Sequence, residues 1–500
     1  MKKFYSLLIA GLWLSTQVWA VSVQDVCGRF DNIYVLPGAL SGTVTIVVTD
    51  ADISSGTPTE IVLPNIPMNE DGELDLTEAP VYLPSLSEHV TASVTSSALA
   101  ADRVVLTLSL TRTSQAEPVV LELQGAASTN NYLLHNGGFE GEWAEVIPMG
   151  MKISLGGTEP DGWHSFASAD GLLYMFVIGN GFQFVASNEA RPASAGTQSA
   201  LISSNLIFGQ KANGNCTNGR VYAGSMTPDD PEGNYNYSDP DSTDFNTPFH
   251  GRPDSIVFYA KYLPADRDYT NEVNKARMKA VITTDARYQD PEPGESIAER
   301  KIAAAEINYA ATPELGWQRL AVPFEYTDID PQSAAYILVT FSTNMTPGGG
   351  SSYRDSEKGV NVLDSVYVDD VRLVYNRRLL RVTKGAEELS FDGGVAALSE
   401  NYCDDCAPYT AQVEGASART FTAFDAQHKC IFIYVLADDY AQTTAYSLYR
   451  VEFADTDYDP QGVETIRTDS SNATKVLRQG AFYIVRDNVW YDATGKRMTK

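Results

Sequence analysis

Positive charge is scarce in this sequence. Its 500 residues include 36 Lys and Arg against 64 Asp and Glu, which gives a formal net charge of −28 at pH 7. Binding to nucleic acids or to anionic membranes depends on clustered basic side chains. No dense basic cluster offsets the acidic excess here. The composition therefore disfavours both kinds of partner, and it leaves neutral glycans, cations and proteins as candidates.

Long apolar runs are missing after the N-terminus. No segment there approaches the roughly 18 uninterrupted apolar residues that indicate a transmembrane helix. Residues 1–20 combine two lysines, a short apolar run at 7–13 and a small-x-small ending at Ala20, which is typical of a cleavable signal peptide. The sequence therefore predicts export to the periplasm, the cell surface or the medium, with a mature chain that begins at Val21 and lacks a transmembrane segment.

Cysteine and histidine are few. Five cysteines permit at most two disulfides, and their pairing stays open for Cys27, Cys216, Cys403, Cys406 and Cys430. Cys403 and Cys406 form a C-x-x-C in turn-like sequence, without the βαβ context of a redox motif or a second ligand pair for zinc. With five histidines, no G-x-S-x-G elbow and no phosphate loop, neither a Ser-His-Asp hydrolase nor a nucleotide site is indicated.

Helical periodicity is scarce as well, and the chain reads as almost all β. Runs rich in Val, Ile, Thr, Tyr and Phe recur between Gly, Pro, Asn and Asp. After the leader, these runs predict β domains at 21–127, 130–376 and 378–456, and a C-terminal hairpin at 474–500. Residues 227–248 are rich in Asp, Asn, Pro and Ser and have almost no aliphatics, so they predict a long loop.

The central region, 130–376, contains six separated segments in a fixed order. They are NGGFE at 136–140, DGWHSF at 161–166, RPASAG at 191–196, ANGNCTNGR at 212–220, FHGRP at 249–253 with YAKY at 259–262, and VYVDDVRL at 366–373. With these segments the region resembles the putative carbohydrate metabolism domain of exported Bacteroidota proteins. The resemblance implies a jelly-roll fold and a carbohydrate as partner. The predicted fold class is therefore all-β, with a central jelly-roll β-sandwich flanked by smaller β domains.

The other regions have resemblances of their own. The region 21–127 is similar to the calycin-like β-barrels that often precede such a domain, and 378–456 is similar to an Ig-like module. The final unit, 474–500, resembles the hairpin that closes many secreted Bacteroidota proteins and is associated with a secretion-system sorting signal.

The pairing of Glu140 with Asp369 and Asp370 also resembles the jelly-roll carbohydrate-binding modules. In those modules a glutamate and an aspartate hold a structural Ca²⁺, an ion that prefers several oxygen ligands. Asp369 shares its strand parity with apolar residues, and a buried carboxylate needs a partner. We therefore expect a structural Ca²⁺ at these three residues. The alternative is a β-bulge that turns both aspartates to solvent.

Aromatic side chains are the usual platforms for sugars, because the apolar face of a pyranose stacks on a ring. Trp163 and Trp317 lie beside strand-like sequence, so for both of them a position in the core is the alternative to a sugar platform. For the basic candidates, Arg252 and Lys261, a structural ion pair is the alternative. The predicted glycan-binding residues are Trp143, Trp163, His164, Tyr235, Tyr237, Arg252 and Lys261.

The sequence thus favours an exported, non-catalytic protein that binds or associates with glycans. A glycan-cleaving enzyme of unrecognised type is a second hypothesis, but 64 acidic residues offer too many carboxylate pairs to choose from. Glu140 with Asp369 would be the first guess, and they fit a metal site better. A structural or adhesive surface protein is a third hypothesis.

Overall fold

The computed structural model describes most of the chain after the predicted leader. Residues 1–20, where the signal peptide is predicted, lie outside it, and so does most of the polar stretch before the C-terminal unit. The described ranges are 21–50, 59–113, 117–148, 151–155, 157–178, 183–351, 353–355, 360–458, 474–478, 481–486 and 489–491. No helix in these ranges is long and apolar enough to cross a membrane.

The first region folds into two four-stranded antiparallel sheets, β1-β2-β3-β4 and β5-β6-β7-β8, after a short helix α1 at Val23–Val26. The sheets enclose one apolar core, to which both contribute alternate side chains. The strands are β1 Gly28–Phe30, β2 Ile33–Pro37, β3 Thr43–Asp50, β4 Thr59–Pro67, β5 Ala79–Leu83, β6 Glu88–Ala100, β7 Arg103–Arg112 and β8 Val119–Ala126.

The described residues of the central region form nineteen strands, two short α-helices and two 3₁₀ turns, at Phe166–Ser168 and Pro331–Ser333. The strands are β9 Trp143–Glu145, β10 Thr158–Pro160, β11 Phe184–Ser187, β12 Ser199–Ser203, β13 Asn205–Ile207, β14 Gln210–Ala212, β15 Asn215–Thr217, β16 Arg220–Ala223, β17 Asn234–Tyr237, β18 Ser255–Leu263, β19 Ala276–Thr283, β20 Gln289–Asp290, β21 Lys301–Tyr309, β22 Gln318–Pro323, β23 Glu325–Tyr326, β24 Tyr336–Ser342, β25 Tyr353–Asp355, β26 Val360–Val362 and β27 Ser365–Val374. The helices are α2 Tyr174–Ile178 and α3 Glu295–Ala298.

Two five-stranded antiparallel sheets form the jelly roll. Their strand orders are β11-β12-β27-β18-β22 and β15-β24-β19-β21-β23. Neighbours such as β12 and β27 are far apart in sequence, as crossing jelly-roll connections require. The inner faces share one continuous core that includes Phe258 of β18 and Phe341 of β24, whose ring centroids are 5.2 Å apart. The predicted all-β fold with a central jelly-roll sandwich is confirmed.

The third region has a three-stranded sheet, β29-β28-β31, and a four-stranded sheet, β30-β34-β33-β32, in which β30 runs parallel to β34. A separate antiparallel sheet, β35-β36-β37, lies near the C-terminus. The elements are β28 Arg378–Lys384, β29 Glu387–Glu388, β30 Val395–Ala397, β31 Tyr409–Glu414, β32 Arg419–Asp425, β33 Cys430–Leu436, α4 Tyr440–Thr443, β34 Tyr446–Glu452, β35 Thr474–Arg478, β36 Ala481–Arg486 and β37 Val489–Tyr491.

The sheet β1-β2-β3-β4 is buried on both faces. Ile33 and Val35 of β2 belong to the core of the first region, whereas Tyr34 and Leu36 belong to a second apolar cluster with β32 and β33 of the third region. Tyr434 of β33 donates its hydroxyl to the Pro37 carbonyl oxygen at 3.1 Å. The unbroken apolar run of β2 therefore reflects contacts with two regions of the chain.

The stretch 227–248 is only partly a loop, which corrects the expectation from its composition. Residues Asn234–Tyr237 form β17, which pairs with β16 on one side and β20 on the other. Main-chain hydrogen bonds to both neighbouring strands and the two tyrosine side chains hold this segment in place, in the absence of aliphatic side chains.

Replacing Leu36 with Ala tests the shared cluster. We expect the free energy of unfolding to fall by about 2–5 kcal/mol, because a buried leucine leaves a cavity when truncated. Val120→Ala is the matched control, since Val120 is 56% exposed and its truncation should change stability by less than about 0.5 kcal/mol. Equilibrium denaturation measures both. Equal stability of the two variants would contradict the packing described for β2.

Candidate functional site: a cleft over the outer face of the jelly roll

A cleft with a volume of about 140 Å³ lies between the small sheet β16-β17-β20 and the outer face of the sheet that contains β24 and β19. Strand alternation creates its floor. Met278 and Ala280 of β19 point into the sandwich core, so Arg277 and Lys279 point outward. Further side chains enter from the 3₁₀ turn at Phe166–Ser168 and from α2.

Asp290 is the centre of a buried charge network in this cleft. Arg277 Nη1 and Nη2 donate to its two carboxylate oxygens at 2.7 and 2.9 Å, and Lys279 Nζ donates at 3.0 Å. The Asp290 side chain is only 2% exposed. Burial by itself would raise the pKa of Asp290, but the two cations outweigh burial and hold that pKa below its ordinary value. Asp290 therefore stays ionised and fixes β20 to β19.

Two further carboxylates extend the network outward. Arg277 Nε donates to Glu306 at 2.7 Å, on the neighbouring strand β21. Glu292 accepts hydrogen bonds from the Tyr288 hydroxyl at 2.5 Å and from Lys301 Nζ at 2.9 Å. Burial alone would raise the pKa of Glu292. These hydrogen bonds lower the pKa by more than burial raises it, so the net shift is downward. Each charge in the network thus has a partner of opposite sign or a hydrogen-bond donor.

Stacked tyrosines form one wall of the cleft. The rings of Tyr222 on β16 and Tyr235 on β17 are nearly parallel, 13° apart, with centroids at 4.8 Å. They occupy opposite positions in the antiparallel register, which brings their side chains together. Arg287 donates to the Tyr235 hydroxyl at 3.2 Å. At the rim, the Phe176 ring is 47% exposed. Both the wall and the rim therefore offer aromatic surface.

The charged side chains at the far end of the cleft neutralise one another. Lys211 forms an ion pair with Asp364, which also accepts from Asn344 Nδ2 at 2.7 Å. The lining includes several amide side chains, and Asn236 Oδ1 is buried without a hydrogen-bond partner among the described residues. A buried acceptor of this kind costs stability unless a donor reaches it. Among the described lining residues, the charged side chains of Lys211, Arg277 and Asp290 are all paired, so the cleft presents aromatic faces and amide groups.

The sequence-predicted tryptophans lie elsewhere. Trp163 is fully buried in the jelly-roll core, and its Nε1–H donates to the Asn136 carbonyl oxygen at 3.0 Å. Trp143 is half-buried, and its ring packs against Phe184 with centroids 4.7 Å apart. Trp163 thus has no face for a sugar in this structure. It occupies the core position that was its alternative.

The predicted histidine and the second tyrosine are also engaged by the protein. His164 Nδ1 lies 3.2 Å from Glu159 and Nε2 lies 2.7 Å from the Asp244 carbonyl oxygen, in a separate polar hollow. Tyr237 is 2% exposed, and Arg287 covers its ring at 3.8 Å from the centroid. Of the seven predicted glycan-binding residues, Tyr235 alone lines the cleft.

The two predicted basic residues form ion pairs away from the cleft. Arg252 Nε donates to Asp438 at 3.1 Å and so links the jelly roll to the third region. Lys261 Nζ donates to Glu189 at 2.6 Å and lies 5.0 Å above the Tyr367 ring. The ring of Trp317 contacts the same tyrosine, with centroids at 6.2 Å. Both basic side chains therefore form structural ion pairs, which is the alternative to a ligand contact that their sequence positions allow.

The predicted calcium ligands lie near one another but have separate partners. Glu140 Oε1 accepts from the backbone amides of Thr197 and Gln198 at 2.8 and 2.9 Å. A bulge occurs in β27 at Asp370, whose φ is +49°, yet Asp369 remains fully buried. The bulge thus exposes only one of the two aspartates, and only in part.

Arg191 contacts Asp369 and Asp370, where the predicted calcium ion would lie. Its backbone N–H donates to Asp369 Oδ2 at 2.9 Å, and its guanidinium pairs with Asp370. Burial raises the pKa of Asp369 to about 6, and its Oδ1 has no hydrogen-bond partner among the described residues. The described groups with three ligand atoms within 4.8 Å of one another do not include these carboxylates. They therefore do not fit a converged calcium site, and the ion stays an untested prediction.

Sequence reasoning missed most of the cleft. Arg277 and Lys279 have the alternating spacing of one strand face, which could have marked an outward charged stripe on β19. Asp290 lies in a loop-like Pro-rich segment, and nothing in the sequence indicates that it folds back onto these two cations. Tyr222 follows a valine at the start of a short apolar run, and its stacking on Tyr235 depends on the register of β16 with β17.

The cleft and fold can be compared with known proteins. No family model matches the chain, and no curated protein matches it significantly. The resemblance to the putative carbohydrate metabolism domain thus remains an expectation. A putative glycoside hydrolase from Bacteroides thetaiotaomicron is 14% identical, with 74% of this chain and 100% of that chain covered and a TM-score of 0.33. One from Bacteroides vulgatus is 18% identical, with 45% and 89% covered and a TM-score of 0.29.

A third solved structure is described as carbohydrate-binding modules from the β-sandwich superfamily. It is 8% identical, with 70% of this chain and 99% of that chain covered and a TM-score of 0.22. Because all three TM-scores are below 0.5, the strand order of the two five-stranded sheets establishes the jelly roll here, and the side chains define the cleft.

Substituting Asp290 with Asn tests the network. We expect a loss of about 3 kcal/mol in unfolding free energy at pH 7, because two buried cations lose their shared anion. The loss should shrink as pH falls below about 4, since the lowered pKa of Asp290 gives a stabilisation that disappears on protonation. Glu306→Gln is the control: its side chain is 43% exposed, so it should cost below about 1 kcal/mol. Denaturant titrations across pH would show this; a pH-independent difference would contradict it.

Arg191 and calcium can be separated by thermal unfolding. Arg191→Ala should lower the melting temperature, because it leaves Asp370 without its guanidinium partner while the backbone hydrogen bond to Asp369 remains. Adding EDTA to the wild-type protein should change nothing if Arg191 has the cation's role. A rise in melting temperature with Ca²⁺ that Asp369→Asn abolishes would instead support the calcium prediction.

Proposed function

We propose that the protein binds a neutral glycan in the cleft between β16-β17-β20 and the outer face of the jelly roll. The observation that carries the proposal is the stacked pair Tyr222 and Tyr235, which lines a cleft that also contains amide side chains. Sugars present an apolar C–H face and a rim of hydroxyls. Aromatic rings suit the former, and amides suit the latter.

The charge pattern favours a neutral ligand over an anionic one. Arg277 and Lys279 are the cations nearest the floor, and both are committed to Asp290. Lys211 is likewise paired with Asp364. An anionic ligand would have to displace a buried carboxylate from these cations, which costs several kcal/mol. The hydroxyl groups of a neutral ligand can instead form hydrogen bonds with exposed lone pairs and amide groups of the cleft, and no ion pair has to break.

Binding is favoured over hydrolysis. A glycoside hydrolase needs one carboxylic acid that stays protonated near neutral pH. Asp290 lines the cleft and Glu292 belongs to the charge network beside it, and the pKa values of both are lowered, so both are ionised. The raised pKa of Asp369 does not supply the missing acid, because that side chain is fully buried at β27. We therefore propose a non-catalytic carbohydrate-binding protein.

We further propose that binding takes place outside the cytoplasm. The support is the signal-peptide pattern of residues 1–20, which predicts export. Fractionation of cells that produce the full chain, with mass determination of its N-terminus, would show whether cleavage occurs after Ala20.

Truncating Tyr235 tests the binding site. Tyr235→Ala should weaken binding of a responsive neutral oligosaccharide about tenfold, which corresponds to about 1.4 kcal/mol, because one stacking face is lost. Tyr269→Ala is the matched control, since Tyr269 is 42% exposed and does not line the cleft. A glycan array selects the ligand, and calorimetry gives the affinities.

Two results would contradict the proposal. One is the absence of any response from wild-type protein across a broad set of neutral and acidic glycans. The other is equal loss of affinity in Tyr235→Ala and Tyr269→Ala, which would place the ligand elsewhere.

A further inference from the structure

An aromatic side chain occupies the tip of a tight hairpin beside the cleft. Strands β13 and β14 pair as far as Ile207 and Gln210, so Phe208 and Gly209 form a two-residue loop between them. Both loop residues have a left-handed backbone, with φ of +51° and +81°. Such loops favour Asn-Gly, because asparagine and glycine tolerate a positive φ and a bulky residue does so poorly. Turn geometry therefore does not explain a phenylalanine at this position.

Burial does not explain Phe208 either. Its side chain is 71% exposed, so folding removes little of its apolar surface from water. A left-handed backbone at a bulky residue costs free energy, and residues of this kind cluster at ligand-binding sites. A side chain that is both strained and exposed indicates a contact with a molecule outside the chain.

The hairpin is fixed to the cleft. Ile207, which precedes Phe208, is buried and lines the cleft. Lys211 of β14 pairs with Asp364, and its Nζ also donates to the Ser351 carbonyl oxygen at 2.7 Å. The tip of the hairpin therefore has a defined position next to the cleft.

Phe176 links this tip with the interior of the cleft. Phe176 of α2 is one of the residues that line the cleft, and its ring centroid lies 5.4 Å from that of Phe208, with the rings tilted by 58°. Phe208 is not among the described residues that line the cleft. The two rings therefore continue the aromatic surface from the inside of the cleft to its outside.

The volume of the cleft limits how much of a glycan it can hold. Its volume is about 140 Å³. A cavity of about 150 Å³ accepts one benzene molecule, so the cleft suits on the order of one six-membered ring. A glycan of several units must therefore extend past the rim, where Phe176 and Phe208 lie.

We propose that the ligand is an oligosaccharide or polysaccharide whose chain leaves the cleft over Phe176 and continues onto Phe208, which forms an outer subsite. The inference rests on the proposed binding of a neutral glycan in the cleft, and it adds that a chain of sugars is recognised. A sugar unit outside the cleft can stack its apolar face on an exposed ring, while its hydroxyl groups stay in water.

A protein partner fits these two rings less well. Full burial of an aromatic side chain covers about 150–250 Å². Two partly exposed rings therefore provide much less than the roughly 800 Å² per partner that a stable protein interface needs. A single sugar unit can cover a ring completely, so the small size of this surface suits a glycan chain.

Calorimetry with oligosaccharides of two lengths tests the outer subsite. The probes are cellobiose with cellohexaose, maltose with maltohexaose, and xylobiose with xylohexaose. Wild-type protein should bind the six-unit sugar of a responding pair at least about tenfold more tightly than the two-unit sugar, because Phe208 adds a stacking face. Phe208→Asn should weaken binding of the six-unit sugar about tenfold. Tyr235→Ala should weaken binding of both lengths, because it changes the cleft itself.

Two controls separate ligand binding from folding. Leu380→Asn removes an exposed apolar side chain of β28, in the third region, and should leave the affinity for the six-unit sugar unchanged. Asparagine suits the positive φ of position 208, so Phe208→Asn should be at least as stable as the wild-type protein in equilibrium denaturation.

The possible failures are distinguishable. Equal affinity of wild-type protein for both lengths would overturn the outer subsite and leave the cleft as the site. No binding of any of the six sugars, with no response on the glycan array, would contradict the proposed function and this inference with it. A marked loss of stability in Phe208→Asn would assign the ring a packing role. A wild-type dimer that Phe208→Asn converts to a monomer in light scattering would assign the ring to a second copy of the chain; either result overturns the subsite.

Discussion

The buried contact between Arg277, Lys279 and Asp290 is the interaction on which the cleft depends. Asp290, on the last strand of the small sheet β16-β17-β20, fixes that sheet to the jelly roll through two cations of β19. A buried ion pair adds little net stability compared with an apolar contact of the same size, but it strongly penalises arrangements that separate the charges. The network therefore specifies where the small sheet lies, and that position creates both walls of the cleft.

The fold was more predictable from sequence than the site, for a physical reason. Strand alternation is a local property, so runs such as the one around β18 and β19 already indicate an all-β chain. Burial of a given aromatic depends on which strands pair. Trp163 is a candidate platform as an aromatic side chain, with a core position as its alternative, and Tyr237 is one because it lies in a predicted loop. The first lies in the core, and the second lies beneath Arg287. Tyr235 shares its strand parity with Tyr237, and their ring centroids are 5.6 Å apart, yet Tyr235 lines the cleft and Tyr237 does not.

Non-local charge pairing explains most of what the sequence could not show. Asp290 is one of 64 acidic residues, and only its contact with Arg277 and Lys279 distinguishes it. The same holds at Asp369, where an expected cation has a counterpart in Arg191, 178 positions away. In a chain of charge −28, each buried carboxylate needs a positive partner or a donor. Which partner it finds is set by topology, and topology is not a local pattern.

This constraint acts both in the cleft and in the loop between β30 and β31. In the cleft, the carboxylates already have cations, so the surface left for a ligand is aromatic and amide in character and suits neutral hydroxyl groups. In the loop between β30 and β31, the buried Asp404 lies 2.9 Å from His89 Nε2 and accepts from the Tyr402 hydroxyl at 3.1 Å. His89 stands on β6, 315 positions away in sequence, so this contact joins the first region to the third. Partners from distant parts of the sequence thus hold the buried carboxylates of this acidic chain, and the cleft keeps its aromatic and amide surface for a ligand.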